Sequence, residues 1–289
     1  MTATHPTPTP APGESSSESG SAPLLVAEDL TLRFGGNVAL GGVSFDVRER
    51  ELFAIIGPNG AGKTSSFNCI SGVYRPQEGS ITLRGEQLLG LRPDVIASKG
   101  VARTFQNIEL FDNLTVLENL LLGRHQQMGG TWWQAMAWLP PARKAELQAR
   151  RDVENIIEFL DLTAVRQMPV GILPYGIKKR IELGRALAMD PSLLLLDEPV
   201  AGMNAEETED MARFILDIRD QLRIAMIMVE HDMRLVMDLA DRVMVIDFGQ
   251  RIALGTPAEV QRDPAVIAAY LGGATDDVLE EFDPGVVTS

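Results

Sequence analysis

Apolar positions along this chain follow two rhythms, and the rhythm changes partway. From Leu24 to Phe34, and again from Val43 to Val47, apolar and polar residues partly alternate as in half-buried strands, and Ile81 to Leu83 adds a shorter one. Leu52-Phe53-Ala54-Ile55-Ile56 is instead a continuous apolar run of buried-strand length. Val101 to Thr104 predicts a short strand ending at Phe105-Gln106. Val116 to Leu122, and then about 142–160, carry helical spacing with Arg, Lys and Glu on the other face. From Ile177 onward, helix and short apolar run alternate: Leu193 to Leu196, a helix from Ala205 to about Leu222, then Ala225 to Val229. That alternation predicts an α/β fold, a parallel sheet covered by helices.

The turn after the first buried run reads Gly57-Pro58-Asn59-Gly60-Ala61-Gly62-Lys63-Thr64, and Ser65 to Ile70 can begin a helix. A glycine-rich turn between a strand and a helix N-terminus aims backbone N–H groups at one spot, where the helix dipole also favours negative charge. Gly60 and Gly62 allow close approach to phosphate oxygens, Lys63 reaches the β and γ phosphates, and the Thr64 hydroxyl suits Mg²⁺. The pattern predicts a nucleoside triphosphate site. Leu193 to Leu196 delivers Asp197-Glu198 at a strand tip, the edge where ligands of open α/β sheets gather. Asp197 is the candidate Mg²⁺ ligand and Glu198 the candidate base or orienter of an attacking water. Glu230-His231-Asp232 ends the next run at the same edge, making His231 a candidate γ-phosphate contact.

Composition narrows the class. The 289 residues are 45% hydrophobic, and no run approaches the roughly 18 apolar residues that span a bilayer. Residues 1–23 are Ser, Thr, Pro and Gly with no Lys or Arg, which predicts a disordered tail and no secretory signal. Residues 273–289 form an acidic tail. The two tails hold half of the net charge of −14, so the body is acidic too, which argues against binding nucleic acid or anionic lipid by charge. Cys69, the single cysteine, fits a reducing cytoplasm and a packed apolar role. Met128 to Pro141, with Trp132-Trp133, predicts an irregular or short helical insertion, the tryptophans serving as core or as a protein contact.

Taken in order, these features resemble the ATP-binding subunits of ABC transporters over about residues 24–272. The resemblance implies a P-loop NTPase core of ABC ATPase type, a β-rich antiparallel layer and an inserted helical subdomain at about 107–185. It implies that Phe34 stacks on adenine, that Gly57 to Ser65 hold the phosphates, and that Gln106 is a lid residue sensing Mg²⁺. Leu173-Pro174-Tyr175-Gly176-Ile177 stands at the signature segment that reaches a partner's γ-phosphate, Ala201-Gly202-Met203-Asn204 at the dimer loop, and His231 at the switch. Importers of branched-chain and hydrophobic amino acids look most similar, on Arg33-Phe34-Gly35-Gly36, Val116-Leu117-Glu118-Asn119-Leu120, Val229-Glu230-His231-Asp232-Met233, Gly255-Thr256-Pro257 and Ala268-Ala269-Tyr270-Leu271-Gly272.

Such a protein is a peripheral ATPase at the cytoplasmic face of the membrane. It uses ATP and Mg²⁺ and works with a second ATPase subunit, two polytopic membrane subunits and, indirectly, an external solute-binding protein. The signature departs from the usual Leu-Ser-Gly-Gly-Gln: Pro174 removes a hydroxyl and a backbone donor, and Tyr175 replaces a glycine. This favours a heterodimer with an intact partner signature over a homodimer. Lipopolysaccharide-export ATPases and soluble ABC ATPases acting on nucleic acid are the alternative classes. The departure and the long insertion disfavour the first, and the single cassette with its acidic body disfavours the second. A non-enzymatic nucleotide-gated scaffold is disfavoured by Glu198 and His231.

Overall fold

Two sheets hold the strands together in a computed structural model that describes residues 22–106, 108–125 and 140–271. Leu25–Phe34 (β1) pairs antiparallel with Asn37–Val47 (β2) and with Glu78–Leu83 (β4), and Glu86–Gln87 (β5) closes that edge. The second sheet contains Leu52–Ile56 (β3), Val101–Arg103 (β6), Leu193–Asp197 (β7), Ala225–Val229 (β8), Arg242–Asp247 (β9) and Gln250–Gly255 (β10). Its order is β10-β9-β3-β8-β7-β6, parallel except for β10 on β9.

β3, β7 and β8 are buried at every residue, because both faces of this sheet are covered. Alternate side chains enter two different cores. Phe53, Ile55, Leu195 and Ile227 pack with the antiparallel sheet and with the helix Lys63–Ile70 (α1). Ala54, Ile56, Leu194, Leu196 and Met228 pack under Val116–His125 (α3), Pro140–Phe159 (α4), Tyr175–Leu187 (α5), Ala205–Asp217 (α6) and Met233–Leu239 (α7). Short helices at Pro93–Ser98 (α2), Pro257–Val260 (α8) and Pro264–Leu271 (α9) complete the order. Register then sets the chemistry. Asp197 pairs with Val229, and Val229 pairs with Ile55, so the chain leaves all three buried strands at one edge.

Several elements differ from the sequence reading. β2 begins at Asn37 rather than Val43, and register shifts along β1 break the alternation that would have marked it. The helix from Ala205 stops at Asp217 and continues to Leu222 as a wider π turn. There Arg219 donates to Asp220 at 2.8 Å and Asp241 at 3.2 Å. β9, β10, α2 and α7 are not anticipated by the sequence reading. The expected first tail up to residue 21, the Trp132-Trp133 segment and the acidic tail beyond 271 lie outside the described residues. Among the described residues no helix is long and apolar enough to cross a membrane.

Phe53 concentrates the packing between the two sheets. It is fully buried, stacks on Phe45 at 5.5 Å, and carries the Arg242 guanidinium over its ring at 5.5 Å. Phe53→Ala should cost about 3–5 kcal/mol in denaturant unfolding of the purified chain, and a loss under about 1 kcal/mol would contradict this packing.

Candidate functional site

The loop between β3 and α1 is shaped by what surrounds it. Gly57 has φ +150°, and a Cβ there would sit 1.9 Å from the Ile246 carbonyl oxygen. Gly62, at φ +113°, would put a Cβ 2.6 Å from the Ala39 carbonyl. Both positions therefore exclude side chains, and the loop is pressed between β9 and β2. Lys63 opens α1, and its Nζ donates to Gly57 O at 2.5 Å and Pro58 O at 3.0 Å. Burial lowers the pKa of this ammonium, and the nearby Glu198 carboxylate partly opposes the shift. The first-turn N–H groups of α1 have no partners within the helix, so they face the loop's concavity as anion donors. A cleft of about 500 Å³ lies over them, lined by Asn59 to Ser65, Glu198, and the rings of Phe34 and Phe248. That size and donor set suit a nucleoside triphosphate.

Asp197 ends β7 and is buried. Its Oδ2 accepts from Arg103 Nη2 at 2.7 Å, and its backbone N–H donates to Thr104 Oγ1 at 3.3 Å. Arg103 also donates to Asn68 Oδ1 at 2.7 Å on α1 and lies between the Phe67 and Phe105 rings. The sequence reading does not pick out Arg103. Its one trace is a charged residue closing an otherwise apolar strand. The pairing leaves Oδ1 as the Asp197 oxygen not engaged by the guanidinium.

Glu198 follows in a left-handed conformation, φ +47°, its N–H donating to Val229 O at 2.9 Å. Gln106 Nε2 donates to Glu198 Oε2 at 2.7 Å, so the two side chains meet. The Phe105-Gln106 segment is gripped by α5: Lys179 Nζ donates to Gln106 O at 3.0 Å, and Glu182 Oε1 accepts from Phe105 N at 3.0 Å. Burial pushes the Glu182 carboxyl above the usual range, against the Phe105 N–H and Lys179, which lower it. Glu230, 1% exposed, is a second residue the sequence reading does not single out. Its two oxygens accept from Val200 N and His231 N, each at 3.1 Å. Burial raises its pKa too.

His231 stands at the same edge with an exposed imidazole, Nδ1 3.7 Å from Glu230 Oε2, and is not part of the cleft lining. Phe34 is at the mouth, half exposed and edge-on to Tyr74. Leu173 to Gly176 lie away from the cleft. There α5 starts at Tyr175, two residues before the expected Ile177, because Pro174 takes the N-cap position, which requires no helical N–H. Among the described residues no cluster of three or more His, Cys, Asp or Glu is placed to hold a metal by itself. A magnesium ion here fits one carboxylate, the Thr64 hydroxyl and ligand phosphates rather than an all-protein cage.

Residues 40–201 match the ABC transporter family, and residues 250–276 match the branched-chain amino acid ATP-binding cassette transporter family. The chain is 41% identical over 254 residues to the high-affinity branched-chain amino acid transport ATP-binding protein BraF of Pseudomonas aeruginosa, covering 88% of this chain and 100% of BraF. It is 42% identical over the same shares to LivG of Salmonella typhimurium, which carries the same description. The lipopolysaccharide export system ATP-binding protein LptB of Haemophilus influenzae is more distant, at 32% over 86% of this chain and 97% of LptB. Among solved structures, the ADP conformation of MJ1267, an ATP-binding cassette of an ABC transporter, superposes with a TM-score of 0.76 at 31% identity, covering 87% of this chain and 100% of that one.

Removing the Arg103 charge leaves Asp197 buried without its partner. Arg103→Met should lower stability by about 3–5 kcal/mol, read by thermal or urea unfolding at neutral pH. Unchanged stability would show that the pair carries no positioning load.

Proposed function

Because the chain belongs to the ATP-binding subunits of ABC transporters, an ATPase family, we propose that it powers import of branched-chain amino acids or related small organic solutes through separate membrane subunits. The observation that carries this reading is the match along the whole length of BraF, together with the branched-chain family match at residues 250–276. The lower identity to LptB makes lipopolysaccharide export the weaker reading.

In this reading the loop from Gly57 to Ser65 binds the ATP phosphates, Lys63 neutralises them, and Phe34 stacks on the base. Thr64, Asp197 and Gln106 are the groups that would hold Mg²⁺, whose chemistry there is to spread the charge of the phosphates. Glu198 takes or orients the proton of the attacking water, held in place by the Gln106 amide and its own backbone turn. His231 turns toward the γ-phosphate from its exposed position on the strand edge.

A second ATPase subunit closes the site from outside, and a different subunit with an intact signature is favoured. This chain's own signature keeps first-turn N–H donors at Gly176 and Ile177, though it lacks the serine hydroxyl. The membrane subunits dock at a mainly apolar groove of about 430 Å³ lined by Val73, Phe105, Phe111, Leu122, Arg185 and Met189. Phe105 precedes Gln106, so a helix seated there touches the lid directly, a helix-in-groove contact. These partners place the chain at the cytoplasmic face of the membrane.

In the assembled transporter, Glu198→Gln should lower the ATPase rate by at least about a hundredfold while MgATP binding persists, and Lys63→Ala should abolish that binding. The site that uses this chain's altered signature should hydrolyse more weakly than the site built on its Lys63 and Glu198. Full turnover in Glu198→Gln would sink the catalytic assignment, and equal loss from the partner's matching change would sink this asymmetry. Phe111 is 58% exposed and Leu122 39%, so aspartate at either position should leave the fold and nucleotide affinity intact. Co-purification with the membrane subunits should be lost, and retention of the full complex would exclude the groove.

A further inference from the structure

The altered signature segment makes a bond inside its own subunit. Tyr175 Oη donates to the Ala201 carbonyl at 3.0 Å. The Ala201 N–H in turn donates to the Glu198 carbonyl at 3.2 Å. Ala201 is thus held at both ends, by the first residue of α5 and by the residue read as the water-activating carboxylate. The ring packs beneath Gly202, whose φ is +77°. A Cβ at that position would stand 3.4 Å from the tyrosine Cε1. One residue on, Gly176 rests so closely on Glu207 that a Cβ would meet its Oε1 at 2.4 Å. Glu207 completes the capping box that starts α6 at Asn204.

Glu198 itself holds φ +47°, a conformation that a bulky residue keeps only where its surroundings impose it. On one flank its N–H is fixed by Val229 O. On the other flank the turn is closed by Ala201, which Tyr175 anchors to α5.

The geometry points to Tyr175 as a positioning residue for Glu198 of its own subunit, fastening the turn after β7 to the start of α5. The tyrosine that displaces a signature glycine therefore works inward, on this subunit's own carboxylate. Burial and the Glu182 carboxylate raise the Tyr175 pKa, which keeps the phenol protonated as a donor. This inference rests on the catalytic reading of Glu198.

The test is a double-mutant cycle in the assembled transporter, with kcat and KM for MgATP from steady-state assays and single-turnover rates in the slow variants. Tyr175→Phe keeps the ring and removes only the hydroxyl. It should lower kcat about fivefold, the rate equivalent of one net hydrogen bond, with KM unchanged. In the Glu198→Gln background the same change should have no further effect, because the group it positions is already disabled. An unchanged kcat in Tyr175→Phe overturns the inference while leaving the role of Glu198 standing. An equal drop in both backgrounds also overturns it, since the hydroxyl would then act on something other than Glu198. Full activity in Glu198→Gln alone defeats the catalytic reading, and this inference with it.

Discussion

The sheet buried on both faces governs where polar chemistry can occur in this molecule. Between Leu52 and Ile56, Leu193 and Leu196, and Ala225 and Val229, no position tolerates an unpaired charge, because each side chain points into one of two packed cores. Charged groups are displaced to the strand ends. Parallel pairing in register then brings those ends level, so Gly57, Asp197, Glu198 and Glu230 emerge side by side. The opposite end of the sheet shows the same constraint without the cleft's phosphate loop. There Arg242 joins Asp46 and Glu51, and Asp241 accepts from the Leu52 N–H at 2.8 Å.

The irregular segments at the strand ends need external support, and α5 supplies much of it. Lys179 and Glu182 are almost fully buried and lie 3.8 Å apart. A buried ion pair adds little net stability by itself, because desolvation offsets the attraction. Here both members satisfy backbone groups of the Phe105-Gln106 segment, which has no sheet partner of its own. Tyr175 does the same for the turn at Ala201. A single helix thus touches the Phe105-Gln106 segment and the turn at Ala201 from two directions, and Phe105 and Arg185 also line the groove beside it.

Much of this was legible in the residues alone. Continuous apolar runs with abrupt polar ends marked β3, β7 and β8, and the glycine spacing marked the tight loop between β3 and α1. Elements with mixed patterns were readable in part or not at all: β2 was marked only from Val43, its pairing with β1 being broken by register shifts, and α2 and α7 are too short to show a helical period. At the site, Arg103 and Glu230 stayed hidden because nothing local distinguishes a buried charge from a solvated one. Their burial is decided by elements distant in the chain, Asn68 and Asp197 for one, Val200 for the other. Phe34 was legible only through resemblance, and Phe248, exposed at the same mouth, left no sequence signal. Pro174 and Tyr175 read as losses, whereas folded geometry turns the tyrosine into a support.

The thiol of Cys69 sits in the helix that follows the phosphate loop, packed among Phe67, Ile70 and their neighbours. Burial pushes its pKa up to about 12, so it stays protonated and shielded from electrophiles in the folded chain. Alkylating agents therefore have no ready target unless that helix opens. The lone thiol is a built-in gauge of local breathing beneath the cleft, reporting by its labelling rate how firmly a bound ligand clamps the loop above it.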